Sequence, residues 1–176
     1  MDPTLLLNKS EWINIAKQYP FQKSESFLLV YSVESEKQNL LIEKYAVELS
    51  KKYGWKIYEI NYGNFRHKLK FANKHFMQVT PDMFLNLMLE ADFVIVSSFH
   101  GTAFSINFNK QFLTISPERF NSRVENILTI CGLKDRLVLD DSKDADDWEP
   151  IEYSKVNSIL GEERRISKCY LTDMLK

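Results

Sequence analysis

The stretch VIVSSFHGTAFSINFN, residues 94–109, joins an uncharged apolar run to a turn that carries two serines and His100. Val94–Val96 has the β-branched composition of a strand that is buried on both faces of a parallel sheet. The small residues after His100 predict a short helix that begins at Gly101. We therefore expect a strand-to-helix junction, with an imidazole at the carboxyl end of the strand.

Strand and helix patterns alternate along the rest of the chain. Further strands are predicted at 27–33, 56–62, 76–79 and 111–116. Further helices are predicted after a cap at Ser10, at 39–53 with Gly54 as terminator, at 82–91 with Thr80 as cap, at 122–131, and at 151–176 with a break at Gly161. This alternation predicts an α/β fold, a parallel sheet with helices on both faces, in a single domain that ends in a helical segment at about 150–176.

The composition is that of an ordinary soluble globular chain, and it argues against several classes of function. The formal net charge of 176 residues is -1, so the basic surplus typical of nucleic-acid binders is missing. Cys131 and Cys169 lack the spacing of a zinc site, so no metal is expected, and both thiols are predicted to be buried. The sequence has neither a signal-peptide pattern nor an apolar run of about 20 residues, which predicts a cytoplasmic protein without a transmembrane segment.

Ligands of parallel sheets bind at the carboxyl ends of the strands, near the point where the strand order reverses. Free N–H groups at Gly101, Thr102 and Ala103 would attract a phosphate or carboxylate, and His100 could bind the same anion or move a proton. The alternative is a buried turn whose histidine bonds a backbone carbonyl. These patterns leave both interpretations open.

Other polar residues follow the predicted strands. Arg119 and Arg123 could clamp an anion, or they could belong to a solvated helix start. The remaining candidates are Ser97 and Ser98 as partners of His100 or of a phosphate, and Tyr31, Ser32, Ser97 and Glu118 as side chains that line a cleft. His75 is predicted to be an ordinary surface residue.

The sequence resembles the C-terminal part of the polysaccharide pyruvyl transferase family. The segments that carry the resemblance are ADFVIVSSFHGTAFSINFNKQFLTI (91–115), SRVENILTICGLKDRLV (122–138), DPTLLLNKSEW (2–12), FLLVYSV (27–33), TPDMFLNLMLEADFVIVSS (80–98) and SILGEERRISKCYL (158–171). These segments are spread along the chain from residue 2 to residue 171, and the Ser-Phe-His-Gly turn is the most specific part of the resemblance.

The resemblance implies a Rossmann-like domain, one of the two that form the cleft of a GT-B architecture. It also implies transfer of a pyruvyl group from phosphoenolpyruvate to a sugar hydroxyl, with no further cofactor. His100 would act as acid or base or contact the donor phosphate, and Arg123 matches the arginine that starts the next helix. The implied partners are a glycan or lipid-linked sugar acceptor and an N-terminal domain of the same chain, in the cytoplasm or at the inner membrane face of a bacterium that builds envelope polysaccharide.

Two departures from the family pattern keep alternatives open. Many members carry an arginine two residues before the histidine, where this sequence has Ser98. The family is also roughly twice as long, so the chain is expected to be the C-terminal half of a two-domain enzyme and inactive alone. The alternatives are a nucleotide-sugar glycosyltransferase or sialyltransferase-like enzyme of the same architecture, and a domain that binds an anion or glycan without catalysis.

Overall fold

The structure, a computed structural model, describes residues 1–19, 21–33, 36–61, 68–117, 121–144 and 147–175. Within these ranges the helices are α1 (Pro3–Leu6), α2 (Lys9–Ala16), α3 (Glu36–Tyr53), α4 (Pro81–Glu90), α5 (Phe99–Asn107), α6 (Asn121–Ile130) and α7 (Tyr153–Met174). The strands are β1 (Phe27–Ser32), β2 (Lys56–Asn61), β3 (Lys74–Met77), β4 (Phe93–Val96), β5 (Gln111–Ile115) and β6 (Leu137–Val138). None of the described helices combines the length and apolarity needed to cross a membrane.

The six strands form one parallel sheet in the order β3-β2-β1-β4-β5-β6. The chain builds outward from β1 through β2 to β3, returns to place β4 on the other side of β1, and continues to β6. The strand order therefore reverses between β1 and β4, as in Rossmann-like folds. The predicted α/β class and the parallel sheet with helices on both faces are confirmed.

Each face of the sheet carries its own hydrophobic core. On one face, α3 packs its buried residues Ile42, Tyr45, Ala46 and Leu49 against strand residues such as Val30. The other face is covered by α1, α2, α4, α5, α6 and α7, whose apolar residues surround Val94, Val96 and Phe112. Successive strand residues point to opposite faces, and both faces are buried, which explains the continuous apolar runs in the sequence.

Several predicted boundaries change in the structure. Helix α2 is capped by Asn8, not by Ser10, because Asn8 and Glu11 form a reciprocal capping box. Helix α7 runs through Gly161 without a break. Strand β3 begins at Lys74, two residues before the predicted start, and the two short elements α1 and β6 were not predicted.

Candidate active site

The reversal of strand order brings the ends of β1 and β4 together through serine hydroxyls. The Ser97 hydroxyl accepts a hydrogen bond from the Val33 N–H at 3.2 Å and donates one to the Ser32 hydroxyl, also at 3.2 Å. Ser32 in turn donates to the Asn39 side-chain oxygen at 3.3 Å. Ser97 is fully buried, so its side chain fastens the two strand ends beneath the surface and does not line an open cleft as predicted.

Ser98 is the N-cap of α5. Its hydroxyl accepts a hydrogen bond from the Gly101 N–H at 3.0 Å, and its carbonyl oxygen accepts from the Thr102 N–H at 3.0 Å. The expectation that the N–H groups of Gly101 and Thr102 are free for an anion is therefore wrong, because α5 begins at Phe99. Serine is a favoured N-cap residue, and this role explains its presence before the histidine.

Gly101 is a glycine because the first turn of α5 lies directly against the end of β4. A Cβ atom at this position would come within 2.7 Å of Val96 Cγ1 and 2.9 Å of Val96 Cβ. The structure thus explains the glycine by an internal contact, and Gly101 does not have a positive φ. Thr102 is fully buried beside it, where its hydroxyl shares a 3.0 Å hydrogen bond with that of Thr114 on β5.

The first turn of α5 still has two N–H groups available, those of Phe99 and His100. The first N–H groups of any helix lack partners within the helix, and among the described residues neither of these two has a hydrogen bond. They lie at the positive end of the helix dipole. The exposed His100 side chain projects from the same turn, with its ring centroid 5.5 Å from that of Phe99.

Arg123 reaches this turn from the first turn of α6. Its guanidinium carbon lies 4.1 Å from the centroid of the Phe99 ring, and its Nη2 atom donates to Asp2 Oδ2 at 2.8 Å. An arginine at a helix N-terminus opposes the helix dipole, and these two contacts offset that repulsion. His100 and Arg123 therefore both lie beside the Phe99 ring, and their roles toward a donor stay predictions.

The carboxylate of Asp2 is the member of this cluster that sequence reasoning missed. Burial acts to raise the pKa of Asp2, but hydrogen bonds from Thr4 and the charges of His100 and Arg123 outweigh it and lower the pKa. Asp2 stands before Pro3 and caps α1 through Thr4. The Asp-Pro-Thr pattern could have indicated that cap, whereas nothing in it indicated a partner 121 residues away.

A concave pocket of about 330 Å³ adjoins the cluster on the side of α6 and α7. It is lined by Met1, Asp2, Leu5, Phe99, Arg123, Asn126, Ile127, Ile130, Leu160 and Glu163. Apolar side chains thus form much of its wall, with the Asp2–Arg123 pair among its polar groups. A volume of this size is at the lower end of the range for sites that hold small molecules.

Of the other predicted site residues, the structure describes Tyr31 and Ser32. The half-buried ring of Tyr31 packs edge-on against that of Phe84 on α4, with 5.1 Å between the centroids. Ser32 is half-buried, and its hydroxyl takes part in the hydrogen bonds with Ser97 and Asn39. Glu118 and Arg119 lie outside the described residues, so their predicted roles stay predictions.

His75 is half-buried and paired, and is not the ordinary surface residue that was predicted. Its Nδ1 atom lies 2.5 Å from Glu59 Oε2, and the Glu59 side chain is almost completely buried. The same carboxylate accepts hydrogen bonds from Asn61 Nδ2 and the Leu69 N–H. Neighbouring parallel strands place Glu59 and His75 opposite each other, 16 residues apart in the chain.

Comparison with known proteins identifies the family. The family model described as polysaccharide pyruvyl transferase matches residues 1–119, which include Asp2, the reversal of strand order and the Ser-Phe-His-Gly turn. The chain belongs to the polysaccharide pyruvyl transferase family. Arg123 lies just beyond the part of the chain that the family model matches.

Beyond the family model, the chain is similar to solved structures at low sequence identity. No curated protein sequence matches the chain. One similar solved structure is the dodecameric iron-containing heptosyltransferase TibC with ADP-D-beta-D-heptose, with 15% identity and a TM-score of 0.48 over 85% of this chain and 48% of that one. Another is the glycosyltransferase SnogD from Streptomyces nogalater, with 10% identity and a TM-score of 0.45 over 83% of this chain and 40% of that one. The chain thus spans less than half the length of each of these proteins.

Proposed function

We propose that this member of the polysaccharide pyruvyl transferase family contributes the donor site for transfer of a pyruvyl group from phosphoenolpyruvate to a polysaccharide precursor. The observation that carries the proposal is the meeting of His100 and Arg123 around Phe99, at the helix start that the family model covers. Phosphoenolpyruvate carries a carboxylate and a phosphate, and both groups suit a guanidinium and free helix N–H groups.

The chemistry of ketal formation defines what the site must do. The C2 atom of the pyruvyl unit forms bonds to two sugar oxygens, while C3 takes up a proton and the phosphate leaves with the other proton. An imidazole can donate and accept protons near neutral pH, so His100 either moves one of these protons or donates a hydrogen bond to the departing phosphate. Because Ser98 serves as the helix cap, we assign the cationic contact to the donor to Arg123.

The same proposal includes an acceptor, a second domain and a location for the reaction. A glycan or lipid-linked sugar is the proposed acceptor, and a second α/β domain is proposed to complete the cleft, as the family architecture implies. A cytoplasmic place, or the inner face of the membrane, follows from the use of phosphoenolpyruvate as donor. Envelope polysaccharide of a bacterium is the proposed product.

Replacement of His100 tests the reaction. In the complete enzyme, His100→Ala is expected to lower the rate of phosphate release from phosphoenolpyruvate with acceptor by about 100-fold or more, the usual contribution of an acid or base. His100→Gln retains a hydrogen-bond donor and separates the two roles, since it keeps much of the rate only if His100 merely binds phosphate. Both variants should unfold at the wild-type urea concentration because the side chain is exposed. Normal turnover by His100→Ala would exclude His100 from the chemistry.

A nucleotide-sugar glycosyltransferase is the second candidate, and Ser98 in place of the family arginine is the observation that favours it. Thermal shifts with phosphoenolpyruvate and with a set of nucleotide sugars separate the two donors. Stabilisation by a nucleotide sugar alone, followed by glycosyl transfer in the complete enzyme, would favour the second candidate. Binding of either donor without turnover would instead indicate a domain that only binds.

A further inference from the structure

The Asp2 carboxylate divides its two oxygens between a helix cap and the candidate donor site. Oδ1 accepts hydrogen bonds from the N–H and the hydroxyl of Thr4 at 3.0 and 2.7 Å. Oδ2 accepts from Arg123 Nη2 at 2.8 Å. The side chain of Asp2 is 17% exposed and that of Arg123 is 54% exposed, so the carboxylate is the more enclosed partner.

Asp2 is held in this position by contacts that do not involve the site. Leu5, on α1, is buried in the main core. The Trp12 Nε1–H donates to the Thr4 carbonyl at 2.9 Å, and the Arg164 Nε–H donates to the Leu5 carbonyl at 2.7 Å. The segment that presents Asp2 is thereby fixed to α2 and α7, so a ligand that binds Arg123 meets a carboxylate that is already in place.

The arrangement makes Arg123 a shared cation. One face of its guanidinium lies on the Phe99 ring, and one of its nitrogen atoms is bonded to Asp2. Within the described ranges its other N–H groups have no hydrogen-bond partner and could bind a ligand. An incoming anion also meets the negative charge of Asp2 at short range, and at a partly exposed site such repulsion still weakens binding.

We propose that Asp2 determines specificity at the donor site by limiting the negative charge that can bind beside Arg123. The site then accepts a singly charged group at this guanidinium, such as the carboxylate of phosphoenolpyruvate, and disfavours a doubly charged group such as free phosphate dianion. The inference rests on the proposed function in so far as it places the donor at this cluster. The inference thus adds a carboxylate, that of Asp2, to a site whose other proposed groups are cations and hydrogen-bond donors.

The variant Asp2→Asn isolates the charge from the cap. Asparagine is as good an N-cap as aspartate, so Oδ1 can still accept from Thr4 while the charge beside Arg123 is lost. We expect Asp2→Asn to bind inorganic phosphate roughly three- to tenfold more tightly than the wild type in a titration followed by NMR at constant pH and ionic strength. The gain should disappear in Asp2→Asn/Arg123→Ala.

Glu162→Gln is the matched control, since it removes one carboxylate from an exposed pair with Arg165 on α7. It should leave the affinity for phosphate within about twofold, and urea unfolding should show that Asp2→Asn folds as the wild type does. Unchanged or weaker phosphate binding by Asp2→Asn, no binding by either protein at millimolar phosphate, or a gain that persists without Arg123 would overturn the inference.

The phosphate titration also keeps this inference separate from the proposed reaction. Tighter phosphate binding by Asp2→Asn, combined with no use of phosphoenolpyruvate by the complete enzyme, would support the role of Asp2 and reject the pyruvyl donor. Turnover of phosphoenolpyruvate with no effect of Asp2→Asn on phosphate binding would support the pyruvyl donor and reject the role of Asp2.

Discussion

At the scale of single residues, Gly101 and Ser98 show how a turn that resembles a ligand loop is used for packing. The glycine lets the start of α5 approach Val96, and the serine caps that helix. The Gly101 N–H and the Ser98 hydroxyl are bonded to each other. In the described part of the chain, the neighbouring N–H groups of Phe99 and His100 and the side chain of His100 are left for a ligand. A histidine at the second position of a capped helix is well placed to act on an anion there.

Replacement of Gly101 by alanine tests the close contact with Val96. Because the new methyl group would overlap Val96 Cγ1, we expect Gly101→Ala to lower the free energy of unfolding by about 1–3 kcal/mol in urea. Gly161→Ala is the matched control, since nothing lies within 4 Å of a Cβ in the middle of α7, and it should raise stability by about 0.5–1 kcal/mol. An equally stable Gly101→Ala protein would contradict the geometry of this turn.

At the scale of elements, helix α2 illustrates how a cap decides where a helix begins. The Asn8 side chain accepts from the Glu11 N–H at 3.1 Å, and the Glu11 carboxylate accepts from the Asn8 N–H at 2.6 Å. Ser10 lies inside the helix, two positions after the cap. Both Asn8 and Ser10 are acceptable capping residues, but only Asn8 has a glutamate three positions later.

Replacement of the two candidate caps distinguishes them. Asn8→Ala should lower the free energy of unfolding by about 1 kcal/mol, because an N–H group of the first turn loses its acceptor. Ser10→Ala should change it by no more than about 0.5 kcal/mol, since alanine is a better helix former than serine. Circular dichroism during urea unfolding measures both. A larger loss for Ser10→Ala than for Asn8→Ala would place the helix start where the sequence pattern first suggested.

The elements that were predicted correctly are those with a clear apolar stripe or run in the sequence. Helices α3 and α4 could be predicted because each carries an apolar stripe that faces the core, and strands β1, β4 and β5 because each is a run of mostly buried apolar residues. Strand β6 has two residues and α1 has four. Elements this short are stabilised by pairing with a neighbouring strand or by packing on the core, and the local sequence pattern does not reveal these contacts.

At the scale of the whole molecule, the two cysteines occupy opposite environments. Cys131 lies in the core on the face shared by six helices, whereas Cys169 is exposed on α7. Both were predicted to be buried. Cys169 differs because the second half of α7 extends beyond the core, where its apolar residues Ile166, Tyr170 and Met174 are also exposed.

Thiol labelling should follow this difference. Burial raises the pKa of the Cys131 thiol to about 11, with Glu163 adding to the rise and Arg164 opposing it. At pH 8 only about 0.1% of this thiol would be the reactive thiolate, and the fraction grows as the pH approaches the pKa. Iodoacetamide at pH 8 should therefore modify Cys169 rapidly and Cys131 only after urea unfolds the protein. Equal labelling rates in the folded protein would contradict the placement of Cys131 in the core.

The sequence by itself determined the parallel α/β class, the main strands and helices, the turn that carries His100 and the family, because each depends on local periodicity or on a contiguous motif. Only the tertiary structure decided that Asp2 and Arg123 meet beside Phe99, and that Glu59 and His75 form a pair. These contacts join residues 121 and 16 positions apart, through helix docking in one case and strand register in the other. Charge complementarity across such distances leaves no local pattern, since it arises only when packing has brought the side chains together.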